Sequence, residues 1–536
     1  MYGLVLTFFY KPIKKTLILA YISCFLISDK VMKKPLALFF VFVSVQIFAQ
    51  DTHYWTYRYG TKAVLMGGAA VGGLEDNTSV IYNPALLSQV KSTSVSINSN
   101  AYQVVSITAK NGAGPRLDVV SNQFSAVPIT VSGMIRKKKP SRWSLGYAII
   151  VPSEFSFKAT AREDALKNIV ADTESPGDED YVGQFTINTR LSENQGAFAL
   201  AFRISDRFSV GVTNQFIYRS HNYAKNELCR MILNNSVTPG NGTLVTTNES
   251  QAIEYTHLRY IPKIGLGFTS GKWSAGIAFA LPSISLGGQG TIARDIAANN
   301  LQVNIETNPT KPPVLTRVSQ FSNLAANARQ PSLPTTYNSP MSVSAGFAYK
   351  ANRWLVAASV EWFGSISVYN IMNPIDETFK RPSTLQLDGQ KFLQVNASNK
   401  SITNIAIGFE KKLNDKISVN AGFRSNGSFY DRSTFDQRAT DRIRSGRNLN
   451  NNALNLDISS WDIYHVVFGF TLNQERRDLS LGLTYSWAND GNIRQFANFD
   501  QPTENTFLLG QKQTTSARYY SFGLLLGYTL RVRSEN

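Results

Sequence analysis

The sequence predicts an all-β fold, a transmembrane antiparallel β-barrel of about 14 strands. Three observations carry this prediction. Apolar residues recur with a period of two in one segment after another. The links between those segments alternate between short and long. No run of 18 apolar residues follows residue 50, so membrane-spanning helices are not expected beyond that point. Composition agrees. Charged residues make up 17% of the 536-residue chain, below the roughly 25% of ordinary soluble proteins. Aromatics reach 12%.

The chain opens on a presequence, residues 1–49. Met32-Lys33-Lys34, an apolar core from Leu36 to Phe48 and a small residue at Ala49 form a secretion signal. The mature chain would then begin at Gln50. Residues 1–31 hold a second basic and apolar stretch, read as an over-extended start with Met32 the true start. The alternative, a membrane hairpin, is interrupted by Lys30, Lys33, Lys34 and Pro35. Cys24 leaves with the presequence and Cys229 remains alone, so no disulfide framework is expected. No Cys follows the cleavage point, which argues against a lipid anchor.

Residues 50–91 differ from everything after them. Gly67, Gly68, Gly72 and Gly73 lie among Ala69, Ala70 and Val71, with Asp76 and then Asn83-Pro84-Ala85 downstream. This is not a phosphate loop. Gly68 and Gly73 have the P-loop spacing, but Leu74 and Glu75 follow where Lys and Ser or Thr are needed. It is not a dinucleotide fingerprint either, because only Ala63 to Met66 precedes it as a strand and Pro84 interrupts the following helix. Asn83-Pro84 reads as a turn.

From residue 92 the alternation sets in. Trp273, Ala275, Ile277, Phe279 and Leu281 share one face, and Ser274, Gly276, Ala278 and Ala280 the other. Phe208-Val210-Val212 against Ser209-Gly211-Thr213-Gln215 repeats the pattern, as does Phe468-Phe470-Leu472 against Gly469-Thr471. The last strand carries Tyr520, Phe522, Leu524, Leu526, Tyr528 and Leu530 on one face. A soluble sandwich turns its polar face outward, whereas a membrane barrel turns its apolar face to lipid and its small or polar face to the lumen.

The short links are 137–142, 205–207, 270–272, 351–353, 413–416 and 475–478. The long ones are about 161–184, 222–250, 285–338, 373–398, 430–454 and 489–516. Tight periplasmic turns and long external loops alternate in this way in outer-membrane barrels. Trp143, Phe208, Trp273 and Trp354 open strands directly after short turns, as an interfacial girdle would. Two strands, near 92–109 and 122–136, precede the first short turn. Several strands exceed the length needed to span, so the barrel should rise above the membrane.

Loss of the presequence, with its six Lys and one Asp, lowers the formal net charge from +17 to +12. Such an excess suits an anionic membrane surface or acidic ligands. The longest basic run is Arg136 to Lys139, too little for a nucleic-acid footprint. His53, His221, His257 and His465 lack metal-ligand spacing, and no Gly-x-Ser-x-Gly elbow occurs. No catalytic residue, metal or cofactor is therefore assigned. Asp178-Glu179-Asp180 reads as a solvated external loop.

Met66 to Val71 followed by Glu75 to Leu86 resembles the N-terminal hatch of the FadL-type long-chain fatty-acid transporters, with its "GGA" segment, acidic step and "NPA". The resemblance implies a 14-stranded outer-membrane barrel plugged by that segment. It makes Gly67, Gly68, Gly72, Gly73, Asp76, Asn83, Pro84 and Ala85 hatch or gating positions. The family usually continues Asn-Pro-Ala-Gly, whereas Leu86-Leu87 follow here. Arg424, on the lumen-facing parity, is the candidate ligand-binding residue; the alternative is a lumen charge paired with an acidic neighbour.

The expected function is passive, hatch-gated passage of hydrophobic molecules such as long-chain fatty acids. The partners are the hydrophobic ligand and outer-membrane lipid, with no nucleic acid. Ligand capture is expected among the loops 285–338 and 222–250. Related barrels of the PorV type share the motif, so a scaffold with envelope protein partners in secretion or assembly is an alternative. A general porin is another.

Overall fold

The computed structural model describes residues 52–55 and 60–531, apart from 75, 91–92, 126–128, 136–140, 235–241, 302, 307–314, 319–322, 376–388 and 436–453. The presequence lies outside the described residues, as does Gln50.

One antiparallel sheet closes on itself. Strand β1 (Ser94–Ala109) pairs along its length with the final strand. Strand β2 comes in two segments, Val119–Ser125 and Ile129–Ile135, both paired with β1. Four long strands follow: β3 (Trp143–Lys167), β4 (Glu179–Arg203), β5 (Phe208–Ile232) and β6 (Leu244–Ser270). Strands β7 (Trp273–Ala280, Ile284–Asn299) and β8 (Asn323–Pro334, Ser342–Lys350) are each broken once and pair segment by segment. The circuit continues through β9 (Trp354–Phe363), β10 (Ile402–Lys412), β11 (Ile417–Asn426), β12 (Ile463–Asn473), β13 (Arg477–Arg494) and β14 (Thr514–Arg531). Register from Ser94↔Arg531 to Ala109↔Ala517 joins β14 to β1, so the barrel has fourteen strands and no open edge. Closure satisfies the wall's backbone groups internally, the requirement for crossing lipid with strands.

The alternation read from sequence is the inside–outside alternation of this wall. Trp273, Ile277, Phe208, Phe468 and Phe522 are exposed on the outer surface, while Ala278, Ala280, Ser209 and Ser521 face inward and are buried. Outward apolar residues concentrate toward the end of the short turns. Farther along β3 to β5 the outward positions turn polar, as at Lys158, Thr160, Arg162 and Arg190.

That change of outward chemistry corrects three sequence expectations. Residues 161–184 are mostly strand, and the link shrinks to 168–178. Residues 222–250 belong largely to β5 and β6, linked by 233–243. Residues 285–338 contain most of the outer segments of β7 and β8. A strand that has left the lipid no longer needs apolar residues outside, so its period-two signal fades and it reads as a loop. Strand β2 likewise begins at Val119, earlier than expected: outward Val120 and Phe124 alternate with inward Ser121 and Gln123, while polar Asn122 interrupts the apolar face.

The upper lumen is filled. Phe157, Tyr181, Phe185 and Tyr255 from the wall pack with Leu456, Trp461, Phe499 and Leu508 from the β11–β12 and β13–β14 links. These links form a cap folded into the barrel mouth. Phe499 is fully buried, worth about 2–3 kcal/mol of apolar transfer. The Tyr181 hydroxyl donates to the Leu508 carbonyl at 2.8 Å, and Thr247 Oγ1 to that of Phe507 at 2.7 Å, which pins the cap to β4 and β6.

Candidate functional site

Residues 60–90 pack inside the barrel. They form helix α1 (Thr61–Leu65), helix α2 (Ser79–Tyr82) and a 3-10 turn over Pro84–Gln89. Nearly all of them are buried. Helices this short do not persist on their own; here the wall and local caps hold them.

Asp76 is one such cap. One carboxylate oxygen accepts from the backbone N–H groups of Lys62 and Ala63, at 3.2 and 3.1 Å. The other accepts from Thr78 N and Oγ1 at 3.0 and 2.9 Å. An anion at the N-terminal turn of α1 satisfies donors that the helix cannot. Asn83 is fully buried and ties two layers together. Its Nδ2 donates to the Val71 carbonyl within the segment (3.1 Å) and to the Leu266 carbonyl of β6 (3.0 Å), and its Oδ1 accepts from Ala85 N at 3.2 Å. Pro84 occupies the first position of the 3-10 turn, where its missing N–H costs nothing.

The glycines explain how so much chain fits. Gly67 (φ +66°) and Gly68 (φ +85°) use left-handed backbone. A Cβ on Gly67 would also lie 2.9 Å from the Phe423 backbone. Gly72 and Gly73 press against Phe347 and Ser274 in the same manner. The wall answers with glycines of its own. A Cβ on Gly211 would come within 2.6 Å of Ala85 N, one on Gly265 within 2.8 Å of Pro84, and one on Gly346 within 2.7 Å of Gly72 N. A Cβ on Gly422 or Gly527 would stand 2.5 Å from Met66 or 2.8 Å from Thr61. Several are cross-strand partners, as in Gly211↔Gly265, Gly276↔Gly346 and Gly408↔Gly422. The small face of the strands is thus a belt around the lumen that seats the segment. Leu86 and Leu87, the departure from the family pattern, are fully buried and reach Gly267 and Gly146.

Side chains fasten the seat. Thr213 Oγ1 donates to the Val80 carbonyl (2.7 Å) and Lys263 Nζ to that of Ile81 (3.0 Å). Thr61 and Thr529 share a hydroxyl contact at 3.0 Å, and Lys62 pairs with Glu410 at 2.6 Å. Replacing Asn83 by Ala leaves two buried carbonyls without this donor and should weaken seating by about 3 kcal/mol. Hydrogen exchange of residues 71–87 would read this as faster exchange there, with the wall strands unchanged.

Directly above the segment lies a cavity of about 170 Å3. Trp55, Tyr82, Ile217, Ile261, Tyr337 and Phe363 supply its apolar wall, and Glu193, Gln215, Arg219, Arg259, Lys263, Glu361 and Arg424 its polar one. Arg424 is therefore placed where its parity predicts, buried and facing the lumen opposite His465 in register. It also borders the inner segment beside Gly67 and Gly68. The sequence reading missed Glu193, which receives Arg219 and Arg259 at 2.9 Å each, with Arg219 stacked 3.8 Å over Tyr337. The alternation from Ser209 to Gln215, extended to Arg219, carries the signal for it. Also missed was the start of the described chain. Tyr54 stacks between Phe363 and Phe429 at 4.4 and 4.6 Å, and Trp55 Nε1 donates to Glu361 at 2.6 Å.

Two further chambers lie along the axis. One of about 330 Å3 separates the outer wall from the cap, between Tyr223, Ile296, Ile458, Phe496 and Phe507. One of about 380 Å3, at the short-turn end, is lined by Lys62, Asp76, Arg353 and Asp478. The segments 222–250 and 285–338, where the sequence reading expects ligand capture, supply strand ends of β5 to β8 as well as the links between them.

Asp457 in the cap is pushed up from 3.8 to about 6 by burial, with Arg219 pulling the other way. A carboxyl whose folded pKa is raised holds its proton in the folded state between about 4 and 6, so its contribution to stability falls as pH rises through that window. Exchange of residues 454–462 should accelerate from pH 4 to pH 6 after correction for intrinsic rates, and Asp457→Asn should remove this dependence.

No protein-family model and no curated protein sequence matches the chain. Solved structures do. The chain is similar to a Pseudomonas aeruginosa FadL homologue, with 13% identity and a TM-score of 0.51 over 91% of this chain and 100% of that one. It is also similar to a deltaS2S3 mutant of TodX, a monoaromatic hydrocarbon channel, with 12% identity and a TM-score of 0.50 over 88% and 99%. TodX is a toluene transporter of Pseudomonas putida. At these identities the likeness shows the fold, that of the FadL-type barrels.

Proposed function

We propose that this chain is a channel of the Gram-negative outer membrane that passes hydrophobic molecules by passive diffusion, gated by the hatch of residues 50–91. The observation that carries the reading is the mostly apolar 170 Å3 cavity resting on that segment. A cavity of about 150 Å3 suffices for benzene. This one suits an aromatic ring or one end of a fatty acid, with Arg424 and Arg219 beside it for a polar head. Monoaromatic compounds, which the TodX channel carries, and long-chain fatty acids are the two ligand classes. The ligand enters past the cap and rests above the hatch. It moves on when residues 60–90 shift, toward the short-turn chamber or through the wall into lipid. The sequence has no nucleotide motif, so no energy source is built in.

Uptake of a labelled long-chain fatty acid and of labelled toluene by cells with and without the gene tests this. Gene-dependent uptake of either is expected; unchanged uptake of both would overturn the reading. A second reading has one observation in its favour: plug and cap both fill the lumen, as a secretion or envelope scaffold would tolerate. It predicts co-purifying envelope proteins and no uptake. The seated segment speaks against a general porin.

A further inference from the structure

The net positive charge of the chain is concentrated at one end of the barrel. The six short turns carry ten Lys or Arg against four Asp or Glu, whereas the seven links at the other end of the barrel carry 14 against 15. Each short turn places a cation in solvent: Arg142, Arg207, Lys272, Arg353, Lys416 and Arg476 are all exposed. Every link at this end of the barrel is thus represented.

The neighbours of these cations define their level. Trp143, Phe208, Trp273 and Trp354 follow Arg142, Arg207, Lys272 and Arg353 directly, and all four rings are exposed on the outer wall. Lys411 Nζ sits 4.6 Å over the Trp354 ring. Exposed aromatics at the edge of an apolar wall occupy the headgroup layer. The cations beside them stand at phosphate height, and their charge is favoured by an anionic leaflet.

We propose that this ring binds the phosphate of anionic phospholipid headgroups in the periplasmic leaflet and so fixes the depth of the barrel there. Each of the six turns sets one exposed cation at the level of the aromatic rings, with the largest net charge on 137–142, and a leaflet meets that level on every side of the wall. The proposal rests on the membrane placement proposed above and is independent of transport. It accounts for a net +6 of the +12 carried by the chain without residues 1–49.

The test is lipid retention by the detergent-purified full chain, read by native mass spectrometry after addition of equal phosphatidylglycerol and phosphatidylcholine. Phosphatidylglycerol should be retained over phosphatidylcholine by about twofold or more. The preference should vanish in 1 M salt, where screening acts within about 3 Å. It should survive inorganic phosphate added at constant ionic strength; displacement by phosphate would mean a free-anion site and overturn the headgroup assignment. The combined variant R142Q, R207Q, K272Q, R353Q, K416Q and R476Q should lose the preference while keeping heat-shifted migration of a folded barrel. Equal retention of both lipids, a preference indifferent to salt, or a folded variant that still prefers phosphatidylglycerol would each overturn the proposal. So would loss of a co-purifying acidic protein in the variant without any lipid preference in the parent. Should the variant not fold, the salt series on the unchanged chain decides.

Discussion

Gly67→Val should unseat the hatch. The residue sits at φ +66°, where a β-branched side chain is strained by about 1–2 kcal/mol. Its Cβ would stand 2.9 Å from the backbone of Phe423 in the wall, which cannot swing aside as the free end of a flexible side chain could. Overpacking of this kind adds about 1–3 kcal/mol. Together they weaken the seated state by about 3 kcal/mol, a shift of more than about a hundredfold in the seated-to-unseated ratio. The barrel itself should persist, because its closure depends on strand pairing and the outer core. The expected readout is a steady ion conductance in planar bilayers where the unchanged chain is nearly silent. Gly67→Ala should show a smaller effect of the same sign. A silent Gly67→Val channel with an intact barrel would mean that the segment is not the sole closure of the lumen and that the cap seals it as well.

Ala280→Trp should block the passage and leave the fold intact. Ala280 lies on the inward face of β7 at the edge of the central cavity. An indole there takes up most of the space a ligand would use. If residence in this cavity is a required step, losing even 1.4 kcal/mol of ligand binding reduces occupancy about tenfold below saturation. Uptake of the transported compound should fall by at least that factor, with unchanged heat-shifted migration. Uptake equal to that of the parent would place the route elsewhere, along the wall or through another chamber.

The barrel was legible because its physics is periodic. Lipid outside and a crowded lumen inside force large residues such as Trp273 and Phe522 onto one parity, and small ones such as Gly276 and Ser521 onto the other. Each short turn marked the beginning of a strand, so the number of strands followed. The hatch glycines were legible as residues that need close approach, but the surface they approach was not. Gly211, Gly265, Gly346 and Gly422 look like ordinary small-face residues until register brings them into one belt. The outer strands were misread for the opposite reason. Lys158, Thr160 and Arg190 face water, so nothing in their chemistry separates a projecting wall from a loop. Arg424 could be placed by parity, whereas the Glu193–Arg219–Arg259 cluster joins three strands and appears only when β4, β5 and β6 are side by side.

Movement of the hatch is the central claim, and a reversible lock tests it most directly. The hydroxyls of Thr61 in α1 and Thr529 in β14 lie 3.0 Å apart, so the pair Thr61→Cys and Thr529→Cys can form a disulfide that ties the hatch to the wall. The native Cys229 is buried away from both, among the outer-core residues. Uptake of the labelled hydrophobic compound by cells carrying this variant would be measured after oxidation and again after reduction. The account predicts uptake that is lost on oxidation and restored on reduction, with single-cysteine variants unaffected. Full uptake through the oxidised, locked barrel would contradict it and show that passage does not require residues 60–90 to leave their seat.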